Sequence, residues 1–282
     1  MASMREIKRR RGSIQSTQQI TKAMKLVSTV KLQRARQRAE NSKAYFQYMY
    51  KTITSMLAKA GTVDHPYVKG SVSSGIGIVV VTSNRGLAGG YNANIVRLIE
   101  SAGFDKEQVR LYTVGRKGAE GLARKGYLIT EDYSYVIDEP SFRDAKEMAE
   151  RLLDDFAKGE IGTIYVAYTE FKNTVSQIPK LMKLLPMNQE DLQEHQGELM
   201  NFEPSEEEAI GLLIPKYMTS ILYGTFVEAV ASENGARMQA MDSATNNAEE
   251  IISDLELKYN RARQGAITQE LTEIIAGAEA IG

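Results

Sequence analysis

The chain has 282 residues, 43% of them apolar and 25% charged, with a formal net charge of −1 and no cysteine. These values exclude a disulfide framework, a thiolate nucleophile and a cysteine metal site, and the near-zero total charge steers no partner. No run approaches the ~18 consecutive apolar residues of a membrane span. The basic N-terminal stretch leads into polar residues instead of the apolar segment of a signal peptide, so a prokaryotic, cytosolic-side location is expected.

Charge is unevenly spread. Residues 1–43 hold twelve Lys or Arg against two Glu, and residues 184–215 hold eight Asp or Glu and no Lys or Arg. From Ser3 to Lys59 there is no proline and one glycine, Gly12, among strong helix formers. Ser3 and Glu6 have the spacing of a capping box. The sequence therefore predicts one long helix over residues 1–60, about 80 Å at 1.5 Å per residue. Residues 61–74, with His65-Pro66 and several Gly and Ser, end it.

The middle, residues 61–204, changes period and reads as a globular α/β domain that ends in an acidic loop. Residues 75–83 form a short β-branched run bounded by glycine, the pattern of a buried strand. A glycine-rich turn and a helix over 92–101 follow. Further strands are expected at 109–114, 127–135 and 161–171, with helices at 117–124 and 141–158 between them. Such alternation argues for a small, mostly parallel sheet. Residues 175–185 are expected at its edge, because Pro179 cannot donate to a central ladder.

Residues 205–282 read as helix again, with Ser205 and Glu208 as a second capping box and Pro215 kinking or offsetting the first turns. Met238, Met241, Thr245, Ala248, Ile252, Leu255, Tyr259, Ala262 and Ala266 recur at alternating intervals of three and four. That is a heptad seam. Its expected partner is the N-terminal helix, where Ile20, Met24 and Val27 repeat the spacing. Several seam residues are small or polar, which fits either surrounding protein or close helix approach.

Catalytic signatures are sparse. The segment SNRGLAGGYN at 83–92 lies between a strand and a helix but matches neither GxGxxG nor a Walker A loop. A tight structural turn is the preferred reading over a phosphate cradle, and likewise for Gly115 to Gly118. His65 and His195 are in unrelated loops without ligand-spaced neighbours. The basic N-terminal residues surround much of the helix, favouring a solvated face or an acidic protein partner over nucleic acid.

Three stretches together resemble the gamma subunit of the rotary F-type ATP synthase. They are IKRR at 7–10 with TQQITKAMKLVSTVKL at 17–32, the turn SNRGLAGGYN, and the run from ARMQAMDSATNNAEEI at 236–251 to LKYNRARQGAITQELTEIIAGAEA at 257–280. The last contains Ile267, Thr268, Glu270, Glu273, Gly277 and Ala278 in the family's signature spacing. Ala88 stands where many members carry Cys.

The resemblance implies an antiparallel coiled coil of the two terminal helices plus a small Rossmann-like α/β domain. It also implies a non-catalytic central-stalk rotor that couples a proton-driven membrane ring to catalytic sites on beta subunits. Arg263, Gln264, Met24, Lys25, Arg9 and Arg237 would then face the beta subunits. Leu271, Ile274, Ile275 and Ile281 would form an apolar bearing tip, and Phe202 and Glu203 the foot on the ring and the epsilon subunit. Implied partners are the alpha and beta subunits, epsilon and the membrane ring, with no nucleic acid and one copy per complex. No cofactor or metal is expected in this chain, Mg-ATP and Mg-ADP being held by partners. The place implied is the cytoplasmic face of the bacterial membrane, peripherally bound.

Overall fold

The structure, a computed structural model, describes residues 3–59, 65–70, 73–187 and 206–281. It divides into two compact units, Ser28–Arg237 and Met1–Val27 with Met238–Gly282. Two helices, α1 (Met4–Lys59) and α6 (Glu206–Ile281), contribute to both.

The first unit is an α/β body. In chain order its elements are α2 (Pro66–Lys69), β1 (Ile76–Val81), α3 (Tyr91–Ser101), β2 (Val109–Val114), α4 (Arg116–Ala123), β3 (Leu128–Asp132), α5 (Phe142–Ala157), β4 (Thr163–Phe171) and β5 (Gln177–Leu185). The strands order as β3-β2-β1-β4-β5. The first three contacts are parallel, and β5 runs antiparallel along the edge with Pro179 opposite Thr169. An edge is where a residue without an N–H costs least.

Both faces of β1 are covered, which explains its unbroken apolar run. Ile78 and Val80 pack with Ile95 and Ile99 of α3 and Leu122 of α4. Val79 and Val81 pack on the other side with Met148, Leu152 and Phe156 of α5. Ser141 starts α5 with a reciprocal capping box to Asp144.

That second face is completed by α6. Ile210, Ile214, Met218, Leu222 and Phe226, all fully buried, form a helical stripe within the same cluster. The sequence reading divides the chain at 60 and 204, whereas the packing divides it inside both long helices, because residues 210–229 carry a core stripe. One stretch of α6 is long and apolar enough to cross a bilayer, yet 56% of it is buried inside the protein, as in a core helix. Pro215 sits within an unbroken helix, where Thr219 Oγ1 donates to its carbonyl at 2.8 Å.

The second unit is an antiparallel helix pair. Thr21 and Thr245 share a hydroxyl hydrogen bond of 2.8 Å, Lys25 Nζ meets Asp242 Oδ1 at 2.6 Å, and Arg11 meets Glu256 at 3.7 Å. The α6 side is the expected seam: the nine positions from Met238 to Ala266 are each buried or half-buried, and nearly all residues between them are exposed. The α1 side differs from expectation. Its inward positions are Ile7, Arg11, Ile14, Gln18, Thr21 and Lys25, again spaced by fours and threes. Ile20 and Val27 are 60% and 58% exposed and Met24 is half-buried, so the seam expected through Ile20, Met24 and Val27 is corrected to one in which four of the six inward positions are polar. Hydroxyl and ion pairs give Thr21, Lys25 and Arg11 partners across the interface, while Ile20 and Val27 turn outward.

Candidate functional site

Two surfaces of the helix pair stand out. The first is the outward face of α1. Ile20, Leu26 and Val27 are all more than half exposed, with Met24 half-buried beside them. Large apolar groups at heptad spacing, left in water by the helix pair itself, form an unused seam. Arg9 is exposed nearer the start of α1, and Lys25 is half-buried and already bound to Asp242.

The second surface is the end of α6. Eight residues separate Arg11 from Ser3, so α1 runs out opposite roughly residues 264–267. Beyond that, residues 267–278 are exposed without interruption. Ile267, Leu271, Ile274 and Ile275 are between 49% and 67% exposed and share one side of a helix. Thr268 and Thr272 hydroxyls return to the helix's own carbonyls at 2.9 and 2.8 Å, leaving the apolar side uninterrupted. Arg263 and Gln264 are exposed where the pairing ends. Ile281 closes the helix, and its side chain lies outside the described set, as do Phe202, Glu203, His195 and Ser205 altogether.

The glycine turn after β1 is a third feature, in the α/β body. In open sheets of this type ligands bind beyond the carboxyl ends of the strands, where the strand order reverses. Here that place lies between β1 and β4, and α6 fills it. Tyr91 Oη donates to the Ala229 carbonyl at 3.2 Å, Ser232 Oγ to the Thr169 carbonyl at 2.8 Å, and the Phe171 N–H to Glu228 Oε1 at 3.0 Å. Burial raises the Glu228 carboxyl above its ordinary range, more than that N–H lowers it.

The turn also presents the wrong atoms for a phosphate. The carbonyls of Arg85 and Gly86 accept from the Arg237 guanidinium at 3.3 to 3.4 Å. Asn84 Nδ2 donates to the Ser134 carbonyl and Asp138, and Asn92 Oδ1 accepts the Ser83 N–H at 3.0 Å. Gly115 is required for a separate reason. A Cβ there would stand 2.2 Å from the Thr82 carbonyl, and its φ of 109° is open only to glycine. Both glycine segments are therefore structural turns.

Arg237 departs from the other expected partner contacts. It is 8% exposed, and its guanidinium is held by Glu233 at 2.7 Å as well as by the turn. The sequence places it on a partner-facing helix stretch, and the structure places its charge inside the body. A network running from the core to the surface went unforeseen: Tyr112 Oη donates to buried Asp155, Arg151 bridges Asp155 and Glu131, and Glu131 accepts from Tyr133 Oη at 2.6 Å. Burial and the Asp155 hydrogen bond push the Tyr112 phenol far up, so it stays a neutral donor. The signal for it is an Asp on the apolar side of α5, beside Leu152 and Phe156. His65 caps α2 through Nδ1, which accepts the Tyr67 N–H at 3.2 Å. Among the described residues no group of three or more His, Cys, Asp or Glu could hold a metal.

An α/β body whose ligand crevice is filled by its own helix, in a chain whose two ends pair as an antiparallel coil, defines a helix-shafted class of subunit. Comparison supports that class. The ATP synthase family model matches residues 3–281. The chain is 61% identical to an ATP synthase gamma chain of Lachnoclostridium phytofermentans, covering 100% of both chains. It is 38% identical to the sodium ion specific ATP synthase gamma chain of Acetobacterium woodii, over 99% of each. The rotor of the Euglena gracilis mitochondrial ATP synthase has the same fold, with a TM-score of 0.69 at 18% identity over 94% of this chain and 98% of that one. The chain belongs to the ATP synthase gamma chain family.

Proposed function

We propose that this chain is the non-catalytic central-stalk rotor of a membrane ATP synthase. It couples rotation of an ion-driven membrane ring to conformational change at catalytic sites on the beta subunits. The observation that carries this reading is the apolar surface the helix pair leaves outward: Ile20 and Val27 along α1, then Leu271, Ile274 and Ile275 on the single-helix end. Exposed apolar seams of this extent need a covering partner. A shaft with unlike faces touches identical surrounding subunits differently. Only such differential contact energy can shift a conformational equilibrium, so each site would be biased in turn as the shaft rotates.

In this reading Arg263, Gln264, Met24, Lys25 and Arg9 meet the beta subunits. The apolar end turns in a bearing formed by the alpha and beta subunits, with Ile281 as its last residue. Phe202 and Glu203 belong to the foot on the ring and the epsilon subunit. Mg-ATP and Mg-ADP stay on the partners, and one copy serves each complex at the cytoplasmic face of the bacterial membrane. Protons are the coupling ion proposed. The sodium ion specific relative makes sodium the alternative, and the choice falls to the ring.

The test is reconstitution with alpha and beta subunits from the same organism. The expected result is a stable complex with strongly raised Mg-ATPase and no hydrolysis by this chain alone. Failure to co-purify, with unchanged turnover, would contradict the reading. In vesicles holding the whole enzyme, synthesis abolished by a protonophore but untouched by a sodium ionophore would support protons. The opposite pattern would assign sodium.

A further inference from the structure

We propose that Arg237 acts as an internal clamp that sets the glycine turn, and so is a positioning residue for coupling instead of a partner contact. The coupling arm of this inference rests on the rotor reading above; the clamp itself does not.

Three observations converge on it. Arg237 is buried, and its guanidinium spans Glu233 at 2.7 Å and two successive carbonyls, those of Arg85 and Gly86. A planar fork of donors suits that task, and a single ammonium does not. The next residue, Leu87, is held at φ 61° although it is not glycine, and it is 65% exposed. A left-handed leucine pointing into water is both strained and poorly solvated, and strain of this kind persists where the surroundings over-determine it. The surroundings supply that restraint: Arg237 on the carbonyl side, the Ser83 and Asn92 pair across the base, Asn84 on Asp138, and Ala88 buried immediately after Leu87.

The clamp is also charge-balanced. Glu233 is only 12% exposed in its side chain, and an arginine confined there without it would be an uncompensated charge. Burial pushes the Glu233 carboxyl up while Arg237 draws it down. Arg237 is the last residue of the α/β body. The clamp thus fixes the turn to α6 at the point where that helix leaves the body, and the turn presents Leu87 in one preset orientation.

The experiment combines hydrogen exchange of residues 83–92 in the full-length chain with coupling in the reconstituted complex. The variants are Arg237→Ala, Arg237→Lys, Glu233→Gln and Leu87→Gly. Arg237→Ala is expected to speed exchange of the turn amides by about tenfold or more, the loss of a charge-assisted bond, while β4 is unchanged. Arg237→Lys should fall between, Glu233→Gln should loosen the turn partly, and Leu87→Gly should leave the clamp intact but reduce coupling. The Arg237→Ala and Leu87→Gly double variant should couple no worse than the weaker single. Lost coupling in Arg237→Ala with turn protection intact would overturn the proposal in favour of a direct partner contact. A loosened turn with normal coupling, or additive losses in the double variant, would overturn it as well. Should Arg237→Ala fail to fold, the Lys and Gln variants decide by the same criteria. If the unmodified chain does not stimulate hydrolysis, the rotor reading fails, and the exchange result still decides the clamp.

Discussion

The two halves of α6 are one helix doing opposite jobs. Residues 210–229 carry fully buried Ile, Leu, Met and Phe and close the core of the α/β body. Residues 238–266 face α1 with a seam in which Met241 and Leu255 alternate with small or polar residues such as Thr245, Ala248, Ala262 and Ala266, with ion pairs at the rim. The first half is stabilised by area removed from water, at about 25 cal/mol per Å². The second half buries Met241 and Leu255 in its seam but fills the other positions largely with small, polar or half-buried residues, and it leaves Ile251 and Leu257 exposed, as α1 leaves Ile20 and Val27. A helix pair stitched by small and polar residues keeps a defined register while its apolar faces remain available.

The same substitution in the two halves should separate them most. Leu222→Ala opens a fully buried site and should cost about 2–5 kcal/mol in urea unfolding. Leu255→Ala should fall at or below the low end of that range, and its loss of hydrogen-exchange protection should stay within the helix pair. Equal costs, both spread through the body, would break the comparison.

Next in size is the ion pair of Lys25 and Asp242. Lys25→Glu sets two carboxylates together where the pair now stands at 2.6 Å. With both side chains 40% or more exposed, the penalty is discounted to about 1 kcal/mol or less. Adding Asp242→Lys should restore helix-pair stability but not coupling, because the charge proposed to face a beta subunit stays reversed. If the double variant regains both, Lys25 acts only through Asp242 and its place among the beta-subunit contacts falls.

The exposed end should show the smallest effect on stability and a large one on function. Ile274→Asp should leave the unfolding midpoint within about 0.5 kcal/mol, since the residue is 67% exposed. Stimulation of ATPase in the reconstituted complex should fall several-fold. An unchanged rate would remove the bearing role.

A finer difference concerns Glu228, whose carboxyl is raised by burial. A folded-state value above the unfolded one means the native chain binds the proton more tightly. Its contribution is full below the ordinary carboxylate range and is lost as pH rises through the raised value. Glu228→Gln should flatten the stability profile in that window, read from urea midpoints between about pH 4 and 7. A profile that keeps its slope would place the titration elsewhere.

Much of this was readable from the residues. The β1 run and all nine seam positions of α6 follow from period, and the edge strand from Pro179. The α1 seam did not, for an instructive reason. Apolar spacing reports a covered face without saying what covers it, so Ile20, Met24 and Val27 pointed to a partner inside the chain although Ile20 and Val27 face out and Met24 is only half-buried. Four of the six inward positions, Arg11, Gln18, Thr21 and Lys25, are polar and invisible to a hydrophobic template. Arg237 was hidden for a related reason: its two acceptors are backbone carbonyls some 150 residues away, which no side-chain pattern encodes. The core stripe of residues 210–229 merged with the heptads after it into one apparent helix with one apparent role.

A central-stalk rotor, as proposed for this chain, must turn inside its partners. The chain has no cysteine, so Glu107→Cys in the exposed loop before β2 gives a single attachment point for a visible probe. With the alpha and beta subunits fixed to a surface and ATP supplied, the account predicts continued rotation of the probe in one direction, arrested when ATP is removed. A probe that stays fixed while the same complexes hydrolyse ATP at full rate would contradict it.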